Sequence, residues 1–260
     1  MTAEPVSTPS FRPAVRADLS AALRAGLTDF LVHPIPGLIF ASVYIAIGYA
    51  IFASLFIMGE AWLAIPFVVA FPLIAPFAAA GLYEVSRRRE LGESVTLRAV
   101  MLTVWRQRGR DMGWMAFTVL FVLWIWIYQV RFLLAIFLSR LSFSSLDGFV
   151  NLVFQTSQGW AFLVVGTIVG GALATALFSL TVIAMPLLLD RDVDFITAMI
   201  RSVQTVLASP FIMLAWGLLI AALLVVSMAP GLLGLLVTLP VFGHATWHLY
   251  RRLGRKLSEV

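Results

Sequence analysis

Pro240-Val241-Phe242-Gly243-His244-Ala245-Thr246-Trp247-His248-Leu249-Tyr250-Arg251-Arg252 closes the last apolar segment of the chain, and its reading decides the fold. A helix that leaves a bilayer ends in this order: apolar residues, then Trp and Tyr at headgroup depth, then arginines that stay in water. Two earlier segments end in related ways. Pro76 is followed by Tyr83, Glu84 and Arg87-Arg88, and Pro186 by Leu187-Leu188-Leu189-Asp190-Arg191-Asp192. The last segment differs from both in carrying two histidines.

Composition points the same way. Hydrophobic residues make up 61 % of the chain and charged residues 12 %, with a mean hydropathy of +0.99, against about 45–50 % and 25 % in soluble domains. Such a chain is an integral membrane protein. Apolar segments at about 37–58, 62–85, 113–138, 160–189, 210–229 and 231–250 have the length that crosses a hydrocarbon core of about 30 Å. The sequence therefore predicts an all-α protein: a tail over residues 1–13, disordered on its Pro and Ser/Thr content, then one six-span domain over 14–260. Cysteine is absent, which excludes disulfides, thiolate metal sites, iron–sulfur ligation and cysteine nucleophiles. The basic residues are arginines apart from Lys256 and cluster at membrane edges, not along a soluble surface, so nucleic acid is not an expected partner.

Those arginines orient the spans. Arg12, Arg16 and Arg24 precede span one; Arg87, Arg88, Arg89, Arg98, Arg106, Arg108 and Arg110 lie between spans two and three; Arg191 and Arg201 lie between four and five; Arg251, Arg252, Arg255 and Lys256 follow span six. Only Arg131 and Arg140 fall on the other side. Cytoplasmic flanks hold the basic excess, so both termini are expected there. The outer connections Gly59-Glu60-Ala61 and Met228-Ala229-Pro230-Gly231 are short enough to force hairpins. The third is longer and accommodates short helices at Arg131–Leu141 and Leu146–Phe154, or a longer third helix.

The stretches leading into spans one, three and five are amphipathic. Leu19, Leu23, Leu27 and Phe30 form an apolar stripe with Asp18, Arg24 and Asp29 off it; Leu97, Val100, Met101, Val104 and Trp105 form the second; Phe195, Met199, Val203 and Val206 form the third. Each predicts a helix in the inner headgroup plane or packed beneath the bundle. Aligning Pro76 with Pro240 places Arg87-Arg88 on Arg251-Arg252, Tyr83 on Trp247, Ala80 on His244 and Glu84 on His248. His33-Pro34 opens span one as Ser209-Pro210 opens span five. The expected architecture is three parallel repeats of interfacial helix plus hairpin.

Few groups offer chemistry. His244 and His248, four residues apart, share a helix face, and His33 begins span one at similar depth, so the three are candidate metal ligands; the spacing does not suit two axial ligands of one haem. The plainer reading is an interfacial aromatic belt. Glu84, Asp190, Arg191, Asp192 and Arg251 form a candidate polar cluster at the inner mouth, with Asp190 placed to pair with Arg251, while Asp192 or Asp194 caps the following helix. The spans hold almost no fixed charge, which argues against ion-coupled transport. Gly166, Gly170, Gly171, Ala174 and Ala176 mark span four for close packing.

Pro186 to Asp194, Ser209-Pro210, Trp216-Gly217 and Gly243 to Arg251 resemble an uncharacterised bacterial family of six-span membrane proteins, domain of unknown function 2189. The resemblance runs from about residue 15 to the end and is most specific in the last motif. It implies a bacterial inner-membrane protein of no established activity. Some members are labelled cytochrome c oxidase subunit I, but such a subunit resembles a twelve-span protein with six histidine ligands, unlike six spans with three histidines. The leading expectation is a non-enzymatic accessory, assembly or structural protein that associates with itself or with a larger complex, respiratory or photosynthetic. The alternatives are a channel or carrier for a small neutral or lipid-like molecule, and a metal- or haem-binding protein. Membrane lipids are expected contacts in every case.

Overall fold

A computed structural model describes residues 10–59, 67–68, 75–107, 111–138 and 146–254, and these are helical nearly throughout. The order is α1 Arg16–Val32, α2 Pro34–Ile57, α3 Ala75–Glu90, α4 Leu97–Gln107, α5 Asp111–Phe137, α6 Leu146–Gln155, α7 Ser157–Thr181, α8 Ala184–Asp190, α9 Phe195–Ala208, α10 Pro210–Met228 and α11 Leu235–Leu253. Four of these stretches are long and apolar enough to cross a membrane: α2, α5, α7 with α8, and α10. Much of the second expected span lies outside the described residues, as do the turn at 60–66, Arg108, Arg110 and Arg140.

α11 is the hub. It lies against α1 along its length and also touches α2, α3, α8 and α10. Trp247, Ala245, Leu249 and Leu253 are fully buried, and Tyr250 nearly so. This explains why α11 falls outside the four apolar helices although it closes the bundle: a helix surrounded by protein has no need of lipid-soluble side chains, and its second half holds His244, Thr246, Trp247, His248 and two arginines. The outer helices α2 and α10 present Ile35, Val43, Phe211 and Leu218 outward instead.

Two breaks in the chain have the same form. His33 ends α1 and begins α2 at φ −128°, ψ 67°, and Ser209 ends α9 and begins α10 at φ −150°, ψ 62°. Proline follows each, at the first helical position, where its missing N–H costs nothing. A third break interrupts the fourth span at Val182-Ile183, and the Ile183 N–H donates to buried Ser202 Oγ of α9 at 3.1 Å. A buried backbone donor requires such a partner. Thr156 caps α7 by accepting from Gly159 N at 2.9 Å, and Asp194, not Asp192, caps α9 by accepting from Thr197 N at 2.9 Å.

Three expectations are resolved. Of the alternatives for the third connection the longer third helix is found, not a separate helix from Arg131; α5 runs unbroken to Phe137, because no Pro or Gly interrupts Trp114 to Phe137. The supposedly disordered tail is held from Phe11 onward: the Arg12 N–H donates to the Leu253 carbonyl at 3.0 Å, Ala14 N donates to Ser209 Oγ at 3.0 Å, and Phe11 packs on Tyr250 at 5.7 Å. The third concerns which face of α1 is inward. Asp18, Ala22, Gly26, Asp29 and Phe30 are buried while Leu27, Leu31 and Val32 are exposed. The acids are on the packed side together with Phe30, Leu19 and Leu23 pack at its edge, and of the expected stripe only Leu27 is turned outward, because α1 meets a polar, small-residue partner in α11.

Candidate functional site

The site is built where α1, α3 and the second half of α11 converge. Closeness comes from Gly26: a β-carbon there would lie 2.5 Å from Ala245 N and 2.7 Å from the Val241 carbonyl oxygen. Gly243 of α11 likewise accommodates Leu82 of α3, whose Cδ1 a β-carbon would meet at 2.4 Å. Backbones this near bring short side chains from three helices within reach of one another.

At the centre is Asp29, 3 % exposed. Its carboxylate accepts from Ser86 Oγ at 2.6 Å and His248 Nε2 at 2.8 Å, and pairs with the Arg89 guanidinium. Ser86 has one proton, and with that given to Asp29 the hydroxyl accepts from His244 Nδ1 at 2.8 Å. His244 is fully buried, and its Nε2 has no partner among the described residues. Burial pushes the Asp29 carboxyl up, but the hydrogen bonds from His248 and Ser86 outweigh it and hold the group below the usual carboxylate range.

A second carboxylate works in the same way one end further along. Asp18 is 1 % exposed and receives Arg12 at 2.7 and 2.8 Å, Arg252 Nε at 3.1 Å and Val15 N at 3.0 Å. Its burial raises the carboxyl, and Arg12, the Val15 N–H and Arg252 more than reverse that. The third acid, Glu84, is wholly buried and bonded within its own helix to Arg87 and Arg88, both at 2.7 Å.

The candidate cluster is therefore divided. Asp190 accepts from Tyr250 Oη at 2.7 Å and lies 3.4 Å from Arg251 Nη1, while Arg251 also meets Glu90 at 3.0 Å. Arg191 is loosely associated with Asp190 at 3.8 Å, Asp192 is exposed in the link to α9, and Glu84 belongs to a different group of partners. Of the three histidines, His244 and His248 meet at the Ser86–Asp29 pair, while His33 forms the hinge between α1 and α2. Among the described residues no group of three or more His, Asp or Glu is placed to hold a metal ion, so the candidate set His33, His244 and His248 is not assembled as one.

Sequence reading missed Asp18, Asp29, Ser86 and Glu90. A signal was present for two of them: Asp18, Ala22, Gly26 and Asp29 recur at helical spacing, a stripe of small and acidic residues that fits a tight contact with a basic helix. Ser86 carries no comparable mark.

A buried set of charged pairs and hydrogen bonds at the base of a bundle of apolar helices defines the chain as an all-helical integral membrane protein whose polar groups tie helices together. Residues 64–190 match the model of the family described as "Predicted integral membrane protein (DUF2189)". The match ends before α11, so the motif at Gly243–Arg251 lies outside it. Comparison with curated proteins and with solved structures gave no match.

Proposed function

We propose that this chain is a non-enzymatic inner-membrane component that assembles, with a second copy or with a larger membrane complex, through the aromatic face of α5. One observation carries the reading. Trp114, Phe117, Phe121, Trp124 and Tyr128 form a continuous ladder along α5, with centroid separations of 6.2, 6.1, 6.0 and 4.5 Å, and every one is about half exposed. Trp124 is the midpoint of the helix, about 20 Å from either end at 1.5 Å per residue. Indole N–H groups belong at the wet edge of a bilayer, and Trp124 Nε1 has no acceptor among the described residues. Facing lipid tails, that donor is left unsatisfied; facing a protein carbonyl or hydroxyl, it is not. A photoreactive phenylalanine at position 124 is expected to give a protein–protein adduct of discrete mass in membranes, while one at Ile168, exposed on α7, gives lipid adducts. Lipid adducts alone at position 124 sink the assembly reading.

The finer architecture belongs to the same proposal: six spans in three parallel hairpins, with both termini cytoplasmic. The matching breaks at His33 and Ser209 support the repeat, and the arginine distribution supports the orientation. The absence of cysteine makes single-cysteine labelling clean. Ser10→Cys and Gly254→Cys are expected to react with an impermeant maleimide only from the cytoplasmic side, and Met58→Cys only from the other. Labelling of Met58→Cys and Ser10→Cys from one side rules the arrangement out.

A further inference from the structure

A cavity of about 630 Å³ separates α7 from α10, with α3 and α11 forming its back wall. That volume is ample for a single extended chain and falls within the range of ligand sites, about 300–1,000 Å³. Its shape follows the helices. The α10 wall extends from Phe211 to Leu224, about 20 Å at 1.5 Å per residue. Small residues make the room: Gly171 and Ala174 on one side, Ala215 and Ala221 on the other. At Gly171 a β-carbon would meet nothing within 4 Å, so this glycine is not there to let a neighbouring helix in. Phe211 and Leu218, 88 % and 72 % exposed, stand at the open side, where a bilayer would adjoin.

The lining has no charged residue, yet it is not uniformly apolar. Tyr83 and Thr246, 4 % and 6 % exposed, reach it from α3 and α11 at its inner end, and neither hydroxyl has a hydrogen-bond partner among the described residues. Thr181, also at that end, instead donates to the Leu177 carbonyl at 2.8 Å. Two hydroxyls on buried residues, without protein partners and open to one end of a long uncharged slot, are costly unless something occupies them. The tyrosine hydroxyl is the better donor, so the matching group is an acceptor.

We infer that this cavity binds a single long apolar chain carrying a neutral carbonyl oxygen, held by the Tyr83 and Thr246 hydroxyls at the inner end. Two sources share that chemistry: the ester-linked acyl chain of a bilayer phospholipid, and an isoprenoid-tailed quinone. The cavity makes the protein a specific lipid binder, independently of what covers α5.

The test uses the full chain reconstituted in vesicles of diester phosphatidylglycerol containing a trace of the same lipid with a diazirine on its acyl chain. Cross-links are expected to concentrate on 171–182 and 211–224, and Gly171→Phe, which fills the slot, is expected to remove them. Tyr83→Phe and Thr246→Val should each lower labelling about fivefold, the loss of one hydrogen bond, when the probe lipid is ester-linked. With an ether-linked probe of the same chain length the wild type should already be low and the two variants no lower. Competition by a short-tailed quinone that depends on Tyr83 assigns the site to the quinone; no competition assigns it to the ester lipid. Labelling spread evenly over α2, α5, α7 and α10, and unchanged in Gly171→Phe, overturns the inference. Should Gly171→Phe fail to fold, the wild-type labelling map together with the ester–ether comparison decides alone.

Discussion

Gly26→Ala is expected to lower the stability of the detergent-solubilised protein by about 1–3 kcal/mol, the cost of overpacking a well-filled contact, and by more if α1 leaves α11 altogether. One methyl group has this effect because its neighbours are backbone atoms. The new β-carbon would lie 2.5 Å from Ala245 N and 2.8 Å from Ala245 Cα, and no rotamer change can move either. The two helices must separate, and separation also lengthens the bonds from Asp29 to Ser86 and His248 and those from Asp18 to Arg252. A glycine in a helix interior is otherwise unfavourable by roughly 0.5–1 kcal/mol relative to alanine, so a substitution that gains intrinsic helicity and still destabilises isolates the contact. Thermal unfolding followed by circular dichroism measures it, with the exposed neighbour Leu27→Ala as the control expected to stay near wild type. Equal stability of Gly26→Ala and Leu27→Ala would mean that α1 is not seated on α11 as described.

What could be read from the chain alone follows from how each signal arises. Span length and the charge-free runs are set by the bilayer, a solvent that acts on each helix separately, so α2, α5, α7 and α10 are visible one at a time. The role of α11 is not, since burial inside protein removes the demand for apolarity and leaves a helix that looks interfacial by composition. The same holds for α1. Its leucines form the more obvious stripe, and a reading based on hydrophobic periodicity puts Leu27 inward and Asp29 outward; the reverse is found because the partner surface is itself polar and offers Ser86, His248 and Arg89. The Asp190–Arg251 approach was legible as two opposite charges at equivalent helix ends, whereas the Asp29 site draws on residues 57 and 219 positions away, a separation that no local pattern encodes. His244 and His248 illustrate the limit. Their spacing puts them on one face, but which acceptor that face meets depends on α1 and α3.

Asp29→Ala is expected to cost about 3 kcal/mol. Breaking a buried ion pair by removing one partner costs about 3–5 kcal/mol, and the low end applies because the Arg89 and His248 side chains retain 32 % and 21 % exposure. The loss comes mainly from the groups left behind: the Ser86 hydroxyl and His244 are buried and would have only each other. Asp190→Ala removes a carboxylate that is 15 % exposed from Tyr250 and from an Arg251 that keeps Glu90, so about 1 kcal/mol is expected there; the reverse ranking would overturn the assignment of Asp29 as the centre of the network. Acid provides an independent check. Asp18 and Asp29 are both held below the ordinary carboxylate range, so their contribution is fully present above the unfolded value of about 3.9 and is lost as pH falls through the lower folded values. Stability should therefore be insensitive to these two groups between pH 8 and about pH 5, then decline below about pH 4. In Asp29→Ala that decline should be shallower, since one of the two depressed carboxylates is gone, and a variant whose acid profile parallels the wild type would show that Asp29 carries no linked charge.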